Sequence, residues 1–184
     1  MSDKLILQVV GNPGAGKSEV CKHLADTYGF ETILVSDLIR SYAARRRLPL
    51  HDRNDYKIAH THMRHELGDD FVPETILATD SKRIAVDGIR VPRHVQTLRQ
   101  HGSLTIALWC PVQIRYLRTL DRDQGLDKTD FEAFQADERA EYQNDDPFVQ
   151  STLEVMQGAD YHIDAAGELA VVLGKVDARV APLL

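Results

Sequence analysis

Residues 11–18, near the amino terminus, have the spacing of a loop that binds phosphate. They read Gly-Asn-Pro-Gly-Ala-Gly-Lys-Ser and fit the pattern G-x-x-x-x-G-K-[ST]. Glycines there let successive backbone amides point at phosphate oxygens, and a helix beginning at Lys17 adds its positive dipole end. Lys17 should reach the outer phosphates, and Ser18 should ligate Mg²⁺. The expected nucleotide contacts are Gly11, Asn12, Pro13, Gly14, Ala15, Gly16, Lys17, Ser18 and Glu19.

A second polar group follows the predicted strand 32–35, in which residues 33–35 are apolar. Asp37 and Arg40 are three residues apart, about one helical turn, so they share a helix face. The carboxylate could orient an acceptor hydroxyl or a water on Mg²⁺, and the guanidinium could hold an acceptor phosphate. The alternative is that Ser36 or Asp37 only caps a helix and that Arg40 faces solvent.

A third group follows the predicted strand 83–86, in which residues 84–86 are apolar. The stretch ends in Asp87-Gly88, and an apolar strand ending in Asp commonly holds Mg²⁺ beside a phosphate loop. Arg90 and Arg93 come next, where they could reach a second phosphate-bearing ligand. The alternative is that Asp87 only shapes an Asp-Gly turn.

Strand and helix patterns alternate along the chain and position these groups. Several strands lack polar alternation, which is typical of a parallel sheet covered on both faces, and such sheets bind ligands at their carboxyl edge. We therefore predict one α/β domain over residues 1–184, a three-layer P-loop NTPase fold with about five parallel strands. The predicted strands are 5–10, 32–35, 83–86, 104–109 and 161–164. The predicted helices are 17–28, 36–47, 54–67, 73–81, 95–101, 112–120, 130–144, 151–157 and 168–180.

Composition narrows the class further. Hydrophobic residues make up 43% and charged residues 27%, as in globular proteins, and the formal net charge of −6 argues against a surface devoted to nucleic acid. No apolar run approaches the roughly 20 residues of a membrane span. With only two cysteines, we expect a cytoplasmic protein. The acidic net charge and the lack of a long apolar run predict that it binds neither nucleic acid nor membrane. Of the 22 cationic residues 15 are Arg, whose fork geometry suits phosphate.

The three groups together resemble the nucleoside monophosphate kinases, the family that includes adenylate kinase. Residues 37–40, Asp-Leu-Ile-Arg, resemble the family's acceptor segment Gly-Asp-Leu-Leu-Arg. Asp87-Gly88 with Arg90 and the later Gln96 resembles the family's Asp-Gly-Phe-Pro-Arg and its base-reading Gln.

The resemblance continues through the second half of the chain. Residues 111–122 resemble the helix that leads into the lid, where Arg118 and Arg122 match two Arg that face ATP. Residues 136–141 resemble the segment after the lid, with Arg139 as its phosphate-binding Arg, and residues 159–167 resemble the last strand and the adenine-side turn. On spacing alone, Arg115, Arg118 and Arg122 could instead form a solvated helix face.

The resemblance implies transfer of the γ-phosphoryl group of ATP to a nucleoside monophosphate, with Mg²⁺. Residues 41–81 would cover the acceptor, and residues 121–130 would form a short lid. The implied catalytic residues are Lys17, Asp37, Arg118, Arg122 and Arg139. The implied acceptor contacts are Ser36, Asp37, Arg40, Asp87, Arg90 and Gln96, and the implied metal ligands are Ser18 and Asp87.

Some residues depart from the family pattern. Ser36 replaces the usual Gly, and Asp87-Gly88-Ile89-Arg90 lacks Phe-Pro and has its Arg one residue early. These details look closer to a dephospho-CoA kinase-like and adenylate kinase-like branch. A dephospho-CoA kinase, with Asp37 as base on a ribose hydroxyl, is therefore one alternative. A nucleotide-dependent switch or ATPase without a small acceptor is the second.

Three histidines, His60, His62 and His65, lie close together in the chain. Metal ligation would usually need further carboxylate or Cys ligands in register. We predict that these histidines form a polar helix surface near the acceptor.

Overall fold

Five parallel strands form a single sheet in the computed structural model, which describes residues 4–120, 130–139 and 149–184. The strand order is β2-β3-β1-β4-β5, and each neighbouring pair runs parallel. The predicted five-stranded parallel sheet is therefore confirmed. The strands are β1 (Leu5–Val10), β2 (Glu31–Leu34), β3 (Arg83–Asp87), β4 (Leu104–Trp109) and β5 (Tyr161–Asp164).

Helices cover both faces of this sheet. Side chains alternate along a strand, so Ile6 and Val86 pack into one core while Leu7 and Ala85 pack into the other. Helices α1 and α9 complete the second core, and α2 to α5 with α8 complete the first. The described helices are α1 (Lys17–Tyr28), α2 (Val35–Arg46), α3 (Arg53–Leu67), α4 (Phe71–Ala78), α5 (Pro92–Gln100), α6 (Val112–Leu120), α7 (Phe131–Arg139), α8 (Thr152–Gln157) and α9 (Leu169–Val180), followed by a 3₁₀ turn, Ala181–Leu183.

The carboxyl edge of the sheet brings three predicted segments together. Val9 and Leu34 both lie in register with Asp87, so the ends of β1, β2 and β3 are adjacent. The chain leaves β1 toward β2 on one side and places β4 on the other side, which makes the end of β1 a topological switch point. A crevice at such a point is the expected ligand site in an open α/β sheet.

The start of α2 differs from the prediction. The helix begins at Val35 with Leu34 as its N-cap, and no side chain caps it. The prediction that Ser36 or Asp37 caps the helix is therefore wrong. Strand β2 runs directly into α2, which leaves Ser36 and Asp37 inside the first turn and available to other partners.

Other helix boundaries move by a few residues. Helix α4 begins at Phe71, before Pro73, and α5 begins at Pro92, because proline is tolerated in the first turn, where its missing amide costs no helical hydrogen bond. Residues 121–129 of the predicted lid, with Arg122, lie outside the described residues. So do residues 140–144 of a predicted helix. Among the residues described, no helix combines the length and apolar character needed to cross a membrane.

Candidate active site

The loop between β1 and α1 has a backbone suited to an anion. Gly14 and Gly16 have φ values of +77° and +96°, the left-handed region that glycine adopts without a side-chain clash. Gly16 is the N-cap of α1, so the backbone N–H groups of the helix's first turn, which have no partner within the helix, lie next to the loop. The Lys17 ammonium folds back over the loop and donates to the Asn12 carbonyl at 3.3 Å. The loop between β1 and α1 thus combines three features that favour an anion: backbone amides, the amino-terminal end of a helix and the charge of Lys17.

The two predicted metal ligands, Ser18 of this loop and Asp87 of β3, lie side by side. The Ser18 hydroxyl donates to Asp87 Oδ2 at 2.8 Å, and the Asp87 side chain is buried at the end of β3. Carboxylate and hydroxyl oxygens suit Mg²⁺, which usually takes one or two protein ligands and completes its shell with water and substrate phosphate. Within the described part of the chain, no cluster of three or more His, Cys, Asp or Glu could hold a metal by itself. The Ser18–Asp87 pair therefore fits a Mg²⁺ that arrives with a nucleotide.

The predicted acceptor residues on α2 share one helix face. Arg40 donates through Nε to Asp37 Oδ1 at 3.0 Å and through Nη2 to Ser36 Oγ at 3.1 Å. It also donates to the Tyr56 hydroxyl of α3 at 3.3 Å. The guanidinium is thus held from both helices, although it stays exposed enough to meet a ligand.

A cavity of about 480 Å³ joins the phosphate loop to α2, α3 and α5. Four cationic side chains line it, and the single carboxylate among its lining residues is Asp87. The chain as a whole has a net charge of −6, so positive charge is concentrated at this crevice. The cationic lining residues are Lys17, Arg40, Lys57 and Arg90.

Two buried histidines line the same cavity. His60 of α3 is 6% exposed and His94 of α5 is 2% exposed, and their rings meet edge to face with centroids 5.9 Å apart. His94 Nε2 lies 2.8 Å from the Asp69 carbonyl, which can only accept, so this nitrogen carries the proton. Burial lowers the pKa of His60 to about 4, with further lowering from His94 and Arg64. Burial also lowers the pKa of His94.

The predicted histidine surface is therefore wrong for one of its three members. His62 and His65 are exposed on α3, as predicted, but His60 points inward. The helix turns His60 to the side of buried Ala59 and Met63, where it meets α5. The approach of α5 depends on tertiary packing, which the spacing of the three histidines does not encode.

Of the other predicted site residues that the structure describes, Gln96, Arg118 and Arg139 do not line this cavity. Gln96 is exposed on α5, and Arg139 is exposed at the end of α7. Arg118 of α6 donates to the carbonyls of Ala165 and Gly167, each at 3.0 Å, in the loop after β5. These contacts place Arg118 near the predicted adenine-side turn. Its contact with ATP phosphates, like those of Arg139 and Arg122, remains a prediction.

One buried group next to the phosphate loop was not predicted, and it overturns the alternative in which Arg115 lies on a solvated helix face. Arg115 of α6 and Glu138 of α7 are 3% and 2% exposed and form a bidentate ion pair, with N–O distances of 2.7 and 2.6 Å. Asn12 Nδ2 of the loop donates to Glu138 Oε1 at 2.7 Å. Charged residues seldom lie on the buried face of a helix, and nothing in the sequence links Arg115 to Glu138.

The sequence matches a known family over most of this architecture. A model described as an AAA domain matches residues 10–135, which include the phosphate loop, the cavity-lining elements and helix α6. The chain belongs to the AAA domain family. The predicted membership in the P-loop kinase group is thereby confirmed, and the matched region includes residues 11–18, the predicted phosphate loop.

Relatives of this AAA domain include kinases of nucleotides. The chain is 26% identical over 180 residues to a UPF0200/UPF0201 protein of Archaeoglobus fulgidus, covering 93% of the chain and 53% of that protein. It is 30% identical over 128 residues to UMP-CMP kinase 2 of Oryza sativa subsp. japonica, covering 64% of the chain and 50% of that protein. The chain thus spans about half the length of these two relatives.

Solved structures support the fold. A gluconokinase from Sinorhizobium meliloti 1021 superposes on this chain with a TM-score of 0.59. It has 19% sequence identity, and the superposition covers 99% of this chain and 94% of that one. At this identity the likeness shows the P-loop kinase fold alone, so the acceptor has to be inferred from the cavity.

Proposed function

We propose that this protein transfers the γ-phosphoryl group of ATP to a nucleoside monophosphate. One observation carries the proposal: the phosphate loop and a second set of cationic side chains open into the same cavity. A loop that only bound and hydrolysed ATP would need no second cationic set beyond it. Two phosphate-bearing ligands that meet end to end would use both sets.

The loop side would bind and orient ATP. Backbone amides of residues 11–18 would hold the phosphates, and Lys17 would neutralise charge on the transferring group. Ser18 and Asp87 would hold Mg²⁺, which when bound supplies charge neutralisation and orientation of the phosphates. By resemblance, Arg118, Arg122 and Arg139 would add positive charge around ATP.

The opposite side would bind the acceptor. Arg40, held in place by Ser36, Asp37 and Tyr56, would hold the acceptor phosphate, and Arg90 would assist from the loop after β3. A guanidinium that is already oriented loses less conformational freedom when it binds phosphate. The neutral rings of His60 and His94 would face the uncharged end of the acceptor, and Gln96 would read its base only if α5 shifted on binding.

Support for the nucleotide as acceptor comes from the relatives. Sequence similarity to UMP-CMP kinase 2 of Oryza sativa subsp. japonica favours a pyrimidine nucleoside monophosphate. Because catalysis in this class is mostly positioning and charge neutralisation, the choice of acceptor depends on the shape and polarity of the cavity.

The proposal is tested with a panel of acceptors: AMP, CMP, dCMP, UMP and dephospho-CoA. Release of ADP from ATP and Mg²⁺ is measured with each acceptor and with none, using Lys17→Ala as the inactive control. We expect a nucleoside monophosphate to raise ADP release by at least about 10²-fold over hydrolysis. Stimulation by dephospho-CoA alone would replace this function with the dephospho-CoA kinase reaction, and slow hydrolysis indifferent to every acceptor would identify a switch or ATPase.

A further inference from the structure

The buried Arg115–Glu138 pair contacts the phosphate loop at successive residues. Glu138 Oε1 accepts from Asn12 Nδ2 at 2.7 Å, and Arg115 Nη1 donates to the Pro13 carbonyl at 3.2 Å. The backbone of α6 lies against the next residue, since a Cβ built on Gly14 would be 2.5 Å from the Arg115 carbonyl oxygen. Helices α6 and α7 therefore support residues 12–14 from one side.

Arg115 also has partners outside the loop. Arg115 Nε donates to the Cys110 carbonyl at 2.8 Å, at the end of β4, and the guanidinium lies 5.9 Å from the centre of the Phe134 ring. Arg115 is thus fixed to the sheet edge as well as to α7. A contact to the loop from this pair is a contact from a rigid support.

The opposite charges of Arg115 and Glu138 explain why the loop is supported by both side chains and not by one of them. A lone carboxylate beside a phosphate site would repel ATP, and a lone buried Arg would be strongly destabilising. Paired, the two side chains are close to neutral overall, and each still offers one hydrogen bond to the loop. The pair can therefore orient Asn12 and Pro13 without adding a repulsive charge at the phosphate site.

We infer that Arg115 and Glu138 are positioning residues for ATP, which hold residues 12–14 of the phosphate loop in their binding conformation. The pair also joins α6 and α7, the helices that carry Arg118 and Arg139, to the same loop. It thereby fixes the loop relative to both helices. The inference rests on the proposed function only in taking ATP as the bound nucleotide.

The test replaces the pair with apolar side chains of similar length. In Arg115→Met/Glu138→Met both charges are removed, and such replacements often leave stability unchanged or raise it. Equilibrium binding of ATP with Mg²⁺ is measured without acceptor, so the result does not depend on which acceptor the enzyme uses. Thermal unfolding is measured in parallel. The matched control is Arg46→Met/Glu66→Met, which removes an ion pair between α2 and α3 that does not contact the loop.

A positioning role predicts that the loop variant folds and binds ATP about tenfold more weakly, while the control binds ATP like the wild type. Adding Asn12→Ala to the loop variant should weaken ATP binding little further, although Asn12→Ala alone should weaken it severalfold. A purely structural role predicts a change in unfolding temperature with unchanged ATP affinity, and that result would overturn the inference.

If the double variant does not fold, the Asn12→Ala single variant tests the positioning role instead. It leaves the ion pair intact and removes only the loop's side-chain contact to Glu138. Unchanged ATP affinity in that folded variant would also overturn the inference. Because this test measures ATP binding without acceptor, a wild-type protein that no acceptor stimulates would count against the proposed function and not against this inference.

Discussion

The two ends of the crevice are built in different ways. At the ATP end, one continuous segment, residues 11–18, provides the loop, the lysine and the hydroxyl, and a buried ion pair supports it from behind. At the acceptor end, side chains from four separate elements meet, and two of them are neutral histidines. Under the proposed function, the contiguous end would bind a group common to many proteins, and the assembled end would set which acceptor is used.

This difference follows from the chemistry that each end has to perform. Phosphate is the same in every nucleotide, so a local backbone conformation is enough to bind it. An acceptor differs from its competitors in base and sugar, and discrimination needs polar groups placed by several elements at once. Mutations at the ATP end should therefore affect every acceptor equally, and mutations at the acceptor end should not.

The largest effect is expected for Lys17→Ala. Loss of the ammonium beside the phosphates should lower phosphotransfer by at least about 10³-fold with every acceptor, since charge stabilisation is the main catalytic term. The fold should remain, because Lys17 is not part of either core. ADP release and circular dichroism measure the two properties.

The matched control is Lys22→Ala, which removes an exposed lysine from the same helix and should leave the rate unchanged. Full activity in Lys17→Ala would end the assignment of the ATP site. A loss with one acceptor only would show that Lys17 belongs to the assembled end.

The contrast between contiguous and assembled parts also explains which features can be predicted from the sequence. The loop, strands β1, β4 and β5, and helices α1 and α6 follow from local patterns, and their bounds agree with the structure. The start of α2 was mispredicted because Ser36 and Asp37 bond to Arg40 instead of to backbone amides.

The assembled parts of the site could not be predicted from local patterns. His60 and His94 meet only because α3 packs near α5, and Lys57 reaches the cavity from the same helix as His60. Arg115 and Glu138 lie on different helices, where each alone would be expected at the surface. Such pairs depend on tertiary packing, which has no signature in the spacing of one chain.

A second prediction concerns stability at the acceptor end. The pKa of His60 falls from 6.5 to about 4 on folding because the ring is buried, so the unfolded chain binds more protons below neutral pH. Stability is complete above the unfolded pKa and is lost as pH falls toward the folded pKa. Between pH 7 and pH 5, His60 should account for a loss of about 2 kcal/mol in unfolding free energy.

His60→Phe keeps a ring against His94 and cannot titrate, so chemical denaturation at the two pH values should show a flatter dependence by this amount. His62→Phe, an exposed histidine on the same helix, is the control and should keep the wild-type slope. Equal slopes in all three proteins would mean that His60 is hydrated and does not form a neutral wall of the cavity. Phosphotransfer to a poor acceptor should change in His60→Phe more than ATP affinity does.

The smallest effect is expected for Arg40→Ala, and it tests the comparison most directly. Removing a charge-assisted contact to the acceptor phosphate should raise the acceptor KM by about tenfold, while the KM for ATP stays within about twofold. Initial rates with each substrate varied in turn give both constants. Arg45→Ala, an exposed arginine on the same helix that bonds only to the Ser41 carbonyl among the contacts described, should change neither. A rise in the KM for ATP with an unchanged acceptor KM would reverse the assignment of the two ends. Arg40 would then bind the donor, and residues 11–18 could no longer be the only place where ATP is held.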